Sequence, residues 1–223
     1  MSKRLMRPGV RGGYDLWAAS YDATPNPLVA MDRRYTLHAL AARPDEWILD
    51  AGCGTGAHLA AIAAAGTRVV GIDFSLGMLR VARRADVGRL LVQADLQTPF
   101  PVRRGVFDAV LCALVSEHLT APAPFFTAAF GALRPGGRLV FSAFHPELAA
   151  AGVEANFEMA GIEYRLGAER HSVADFVAAI GAAGFHDVHV QEYRGDDALV
   201  AQVPLAAKYL GRPLLLLISA LRR

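Results

Sequence analysis

From Leu49 to Gly56 the chain reads LDAGCGTG. Glycines at 52, 54 and 56 present a backbone without Cβ atoms, so a ligand can come against the main chain, while Asp50 sets a carboxylate two residues before the first of them. Two further aspartates, Asp73 in VVGID and Asp95 in LVQAD, end the next two apolar runs. Three carboxylates around a glycine turn suit a ligand that offers hydroxyls, an exocyclic amine and a positive charge. They suit a phosphate poorly, because Asp50 would repel it. His118, His145 and His171 each sit beside the end of an apolar run or the start of a helix. An imidazole titrates near neutrality, so each is a candidate general base for an acceptor hydroxyl.

The elements that must hold these residues alternate. Short apolar runs at 47–51, 68–73, 90–95, 107–114 and 138–144 read as strands, with helices between them at 56–65, 75–84 and 122–133. That is the pattern of βαβ units and a doubly wound, mostly parallel sheet. Ser172 with Asp175 three residues on predicts a capped helix through Ala183, closed by Gly184. Strands at 187–193 and 213–221 follow, and an antiparallel end to the sheet is their simplest connection. PLLLLISAL (213–221) falls well below the ~20 residues that span a bilayer and reads as a buried strand.

Two segments stand outside this alternation, residues 1–43 and the insertion 146–170; the remainder, 44–223, reads as one catalytic domain. Ligands of open α/β sheets bind beyond the carboxyl ends of the strands, where both segments could form a cap. Tyr14, Trp17 and Tyr21 fall on one face of a lid helix at i, i+3 and i+7, and Tyr14 and Tyr21 are the candidates to reach the ligand. Phe157, Met159 and Tyr164 are candidates to line an apolar acceptor site from the insertion. The basic, glycine-bearing first 13 residues read as a loose arm.

With 223 residues, 53% hydrophobic, and a net charge of +2, the chain carries no field that would demand nucleic acid or an anionic membrane. Its two cysteines, Cys53 and Cys112, form no CxxC pair, so neither a disulfide framework nor a metal site is expected, and a cytoplasmic protein, monomer or homodimer, fits. Gly52, Gly54 and Ala57 also satisfy G-x-G-x-x-G/A, with Asp73 about 20 residues on, so an NAD-type oxidoreductase is one alternative. S-adenosylmethionine, a phosphate-free cationic nucleoside, makes better use of all three aspartates.

Together LDAGCGTG, VVGID, QAD, FDAVLCALVSEHL and LRPGGRLVFS resemble the class I S-adenosylmethionine-dependent methyltransferases, in the branch of small-molecule, quinone-type enzymes of the methyltransferase type 11 kind. The resemblance runs from about Tyr14 to Leu221. It implies a Rossmann-like seven-stranded sheet with an antiparallel last strand. Cofactor contacts are implied from Asp50, Gly52, Gly54, Asp73, Asp95 and Leu96, with S-adenosylhomocysteine as product. VSEHL (115–119) replaces the Asn/Asp-Pro-Pro-aromatic motif of enzymes that methylate adenine or glutamine amides, which turns the expectation toward a small-molecule acceptor. A noncatalytic S-adenosylmethionine-binding protein is a second alternative. In VSEHL, Glu117 could orient His118 or contact substrate, but adjacent helical residues diverge and a solvated carboxylate is the plainer reading.

Overall fold

A computed structural model describes residues 4–85 and 90–223. Residues 4–43 carry β1 (Arg4–Met6), α1 (Val10–Trp17), a 3-10 turn at Tyr21–Ala23 and α2 (Pro27–Leu40). The arm expected to be loose is therefore a strand, and Gly12 and Gly13 lie inside α1 rather than before it. Helix α2 belongs to the core rather than to a lid. Asn26 accepts from the N–H groups of Leu28 and Val29 at 2.9 and 3.4 Å, Pro27 opens the first turn, and Ala41 closes the helix in the left-handed conformation. Met31 and Leu40 bury against the sheet.

The alternating region follows as β2 (Trp47–Ala51), α3 (Ala57–Ala64), β3 (Arg68–Asp73), α4 (Leu76–Arg84) and β4 (Leu90–Gln93), then β5 (Phe107–Ala113), α5 (Pro122–Ala132) and β6 (Leu133–Phe144). After it come α6 (Pro146–Ala150), the hairpin β7 (Asn156–Met159) and β8 (Ile162–Arg165), α7 (Val173–Ala182), β9 (His186–Arg194), α8 (Asp197–Gln202) and β10 (Pro213–Leu221). Seven strands form one sheet in the order β4-β3-β2-β5-β6-β10-β9. Every pairing is parallel except those of β10, which runs antiparallel to both β6 and β9. The expected architecture is the one observed. Leu214 to Ile218 are buried throughout, because β10 is flanked by strands on both sides and covered on both faces, which is why its sequence is continuously apolar. Helix α7 starts at the Ser172–Asp175 capping box, with Ser172 Oγ accepting from Asp175 N–H and Asp175 accepting from Ser172 N–H.

Strand order reverses between β2 and β5, so the carboxyl ends of β2, β3, β4 and β5 surround one crevice. Above it lies a second, three-stranded sheet, β1-β8-β7, in which β1 adds in parallel to the hairpin. Among the described residues no helix is long and apolar enough to cross a membrane.

Candidate active site

The glycine turn is built by conformation and by space. Gly52 has φ +87°, and a Cβ there would stand 2.4 Å from Val115 Cγ2, so the position excludes any side chain. Gly54 (φ +54°) donates its N–H to Asp73 Oδ2 at 2.9 Å, and Ser75 N–H donates to Asp73 Oδ1 at 2.8 Å. Asp73 is thus fixed at the end of β3, one turn below α4. Burial nevertheless raises its carboxyl above the usual carboxylate range, against the pull of those N–H groups.

Two cavities open here. The first, about 550 Å³, is lined by Gly52, Gly54, Asp73, Asp95 and Leu96 from the strand ends and by Tyr14 and Tyr21 from the cap. Its size falls within the ~300–1,000 Å³ of small-molecule sites. The second, about 420 Å³, lies between α2, the loop after β5 and the start of the hairpin. Four residues line both: Tyr14, Tyr21, Leu114 and Glu117. Leu114 holds φ +53° at this boundary, a left-handed conformation that costs about 1–3 kcal/mol in a non-glycine residue and turns the chain from β5 into VSEHL.

The loop after β5 carries the titratable groups. Glu117 is 8% exposed, its Oε2 is buried without a hydrogen-bond partner, and burial pushes its carboxyl up to about 8. It is therefore not the solvated carboxylate that VSEHL suggested. Burial drives His118 the other way, down to about 4, so its imidazole is neutral. Tyr14, whose phenol burial and then Glu117 raise well above the usual value, keeps its proton and shares a hydrogen bond with His118 Nε2 at 2.9 Å. That bond ties α1 to the strand-end loop. His118 lines the first cavity, with its Nε2 engaged by Tyr14 and its basicity lowered by burial.

The other candidates are placed elsewhere. His145 caps α6, its Nδ1 accepting from Glu147 N–H at 3.3 Å, with Nε2 3.5 Å from Glu192; it lines neither cavity. His171 donates from Nε2 to Leu119 O at 2.6 Å and packs edge-on to Phe176, again outside both cavities. Phe157 and Tyr164 line neither cavity. Trp17, Phe157 and Tyr164 stack ring on ring at 4.9 and 4.8 Å, which glues α1 to the hairpin, while Met159 points outward at 36% exposure.

Asp50 does not reach the cavities. It is 1% exposed, neither carboxylate oxygen has a hydrogen-bond partner, and burial pushes it up to about 7, with His58 lowering it and Asp73 and Asp32 raising it. Beneath it lies a buried cluster that the sequence did not disclose. Asp32 of α2 accepts from Thr36 Oγ1 at 2.7 Å and Ser142 Oγ at 2.5 Å, and its Oδ2 lies 3.0 Å from His58 Nε2. Burial alone would lower His58, but Asp32 and then Asp50 hold it above its ordinary value. A histidine in the first turn of a helix opposes the helix dipole, and that was the signal for a carboxylate beneath it.

Asp15 adds a further fastening to the cap. Asp15 Oδ1 accepts from Ser75 Oγ at 2.6 Å and from Gly77 N–H at 2.7 Å, and Gly77 must lack a Cβ because Asp15 Cα would lie 2.9 Å away. Asp15→Ala removes both bonds, each to a charged acceptor and worth about 1.5–3 kcal/mol in a sheltered site, less here where Asp15 is exposed. The expected result is faster proteolysis within the first 26 residues with little change in the midpoint of global unfolding. Equal proteolysis rates would show that Tyr14 and the ring stack hold the cap unaided.

A methyltransferase domain family matches residues 49–141. The demethylmenaquinone methyltransferase of Beutenbergia cavernae is 38% identical over 139 residues, 60% of this chain and 58% of that protein; that of Clavibacter sepedonicus is 37% identical over 147 residues, 62% and 59%. The chain thus spans less than two thirds of these relatives. An uncharacterized methyltransferase of Emericella nidulans is 30% identical over 84% of this chain and 82% of its own length. Among solved structures, an S-adenosylmethionine-dependent methyltransferase from Mesorhizobium loti superposes with a TM-score of 0.71 at 28% identity, covering 86% of this chain and 97% of that one. The glycine turn, the strand order and these relatives agree: the chain belongs to the class I S-adenosylmethionine-dependent methyltransferases, and its cofactor is S-adenosylmethionine.

Proposed function

We propose that this chain transfers the methyl group of S-adenosylmethionine to a nucleophilic O, N, S or activated C atom of a small-molecule acceptor by in-line displacement. One observation carries the reading: the cavity at the glycine turn and the second cavity share a wall made of Tyr14, Tyr21, Leu114 and Glu117. A cofactor in the first would meet an acceptor in the second across those side chains. Asp73 would accept from the ribose hydroxyls, Asp95 from the adenine amine, and Gly52 and Gly54 would admit the ligand to the backbone. Displacement at a sulfonium methyl needs mainly alignment and exclusion of water, which a cap made of α1 and the hairpin supplies. The names of the curated relatives suggest a quinone-type acceptor. We read the chain as a single cytoplasmic domain, capped by its first residues and by 146–170, that acts as a monomer or homodimer without nucleic acid or membrane.

Calorimetry with S-adenosylhomocysteine tests the cofactor half. Asp73→Ala loses hydrogen bonds to a charged acceptor, about 1.5–3 kcal/mol, and should weaken binding roughly 10- to 150-fold. Binding of NAD in place of S-adenosylhomocysteine would overturn the reading. Tight cofactor binding without transfer of labelled methyl to any acceptor would leave a sensor rather than an enzyme.

A further inference from the structure

The second cavity has an uneven charge. Four ionisable side chains of fixed sign line it, the acids Asp22, Glu117 and Glu154 against the single cation Arg33. Arg33 leans on Asp22 at 4.0 Å, and Glu154 is taken by Arg7, through two contacts at 3.0 and 3.2 Å, and by Arg165 at 3.5 Å. Glu117 is left over. Its Oε2 has no hydrogen-bond partner among the described residues, the carboxyl is otherwise met by its own backbone N–H and, at 3.9 Å from Oε1, by His118 Nε2, and it stands on the wall where the two cavities meet. The rings of Tyr14, Trp17 and Tyr21 line the same space. A buried carboxyl with one oxygen unpartnered is costly, and aromatic faces attract cations, so both features ask for one kind of guest.

We propose that the acceptor is a small cationic amine, held by Glu117 and the faces of Tyr14, Trp17 and Tyr21, and that Glu117 takes the proton from its nitrogen before methyl transfer. This rests on the methyltransferase reading above and puts a cationic amine in place of the quinone-type acceptor that the relatives' names suggest. The ammonium gives one N–H proton to the Glu117 carboxylate, which frees the nitrogen lone pair. That lone pair forms the N–C bond to the cofactor methyl as the C–S bond breaks, and sulfur keeps the electron pair and becomes neutral. The product leaves as a methylated ammonium, and Glu117 returns its proton to solvent. The ionisable groups around Glu117 are Tyr14, Tyr21 and His118 on the cavity side and Glu169 and His171 from the loop before α7. Both phenols stay protonated and His118 stays neutral through pH 7, while burial places Glu117 at about 8, so its carboxyl changes charge near neutrality.

The probe is phenethylamine, titrated calorimetrically at pH 7 into protein saturated with S-adenosylhomocysteine, with phenethyl alcohol as the uncharged counterpart of the same shape. The amine should bind about tenfold tighter or more, one charge-assisted contact's worth, and release close to one proton as measured in buffers of different ionisation enthalpy. Glu117→Gln should remove both the preference and the proton release. Glu117→Asp, which keeps the carboxyl, should retain the release with weaker binding. Equal affinity for amine and alcohol, no binding of the amine, or proton release that survives in the Gln variant would each overturn the proposal. Failure of S-adenosylhomocysteine to bind in the first place would instead strike the methyltransferase reading.

Discussion

Asp32→Ala should lower folding stability by about 3–5 kcal/mol, the range for removing one partner of a buried ion pair. Asp32 is fully buried and joins three elements: Thr36 on its own helix α2, His58 on α3, and Ser142 on β6. The hydroxyls can turn toward other acceptors, but His58 cannot leave, and without Asp32 its raised pKa has lost its main support. For a chain of this length the loss corresponds to about 6–20 °C in Tm. The pH dependence has a definite sign. A histidine whose folded pKa is raised contributes its full stability below the unfolded value of 6.5 and loses it as pH rises through the folded pKa. The deficit of the Ala variant should therefore be larger at pH 6 than at pH 9. Denaturant titrations at both values check this, and a deficit under 1 kcal/mol at pH 6, or one that grows with pH, would refute the pairing.

Asp50→Asn should do the opposite and stabilise the ligand-free chain, by about 4 kcal/mol at pH 8. Burial raises the Asp50 carboxyl from 3.8 to about 7, and each unit is worth 1.36 kcal/mol. The folded state binds this proton more tightly than the unfolded state, so stability falls as pH rises through the window from about 4 to about 7. An amide is nearly isosteric with the protonated acid, leaves the same atoms unpartnered and has no proton to lose. The two stability curves should coincide near pH 4 and separate steadily above it. Parallel curves across that window would mean that Asp50 is ionised at little cost.

The sheet was legible in the sequence because its pattern is driven by burial: seven apolar runs, punctuated by Gly, Pro and capping residues, gave all seven strands of the large sheet within a few residues. That Gly52, Gly54, Asp73, Asp95 and Leu96 would meet around one cavity was legible too, since all lie at strand ends that the topology brings together. The surroundings of the residues expected for the acceptor were not. Whether Phe157 faces a cavity or a tryptophan depends on the pleat of a four-residue strand and on a helix more than a hundred residues earlier. His145 and His171 are near the right strand ends, but a cap to one backbone N–H and a bond to one carbonyl turn them away. Glu117 escaped for the converse reason, because its neighbours in sequence look half polar while its neighbours in space are not.

The parallel pairing of Arg4–Met6 with Ile162–Tyr164 has a consequence for engineering. The roof over both cavities is assembled from two stretches of chain about 150 residues apart, and neither makes a sheet of its own beyond a hairpin. A graft that imports a foreign insertion at 146–170 would leave the first strand without a partner edge and Gly13 without the Leu166 side chain it was shaped to admit. The roof of this scaffold is thus bipartite, and it transfers to another chain only when both stretches travel together.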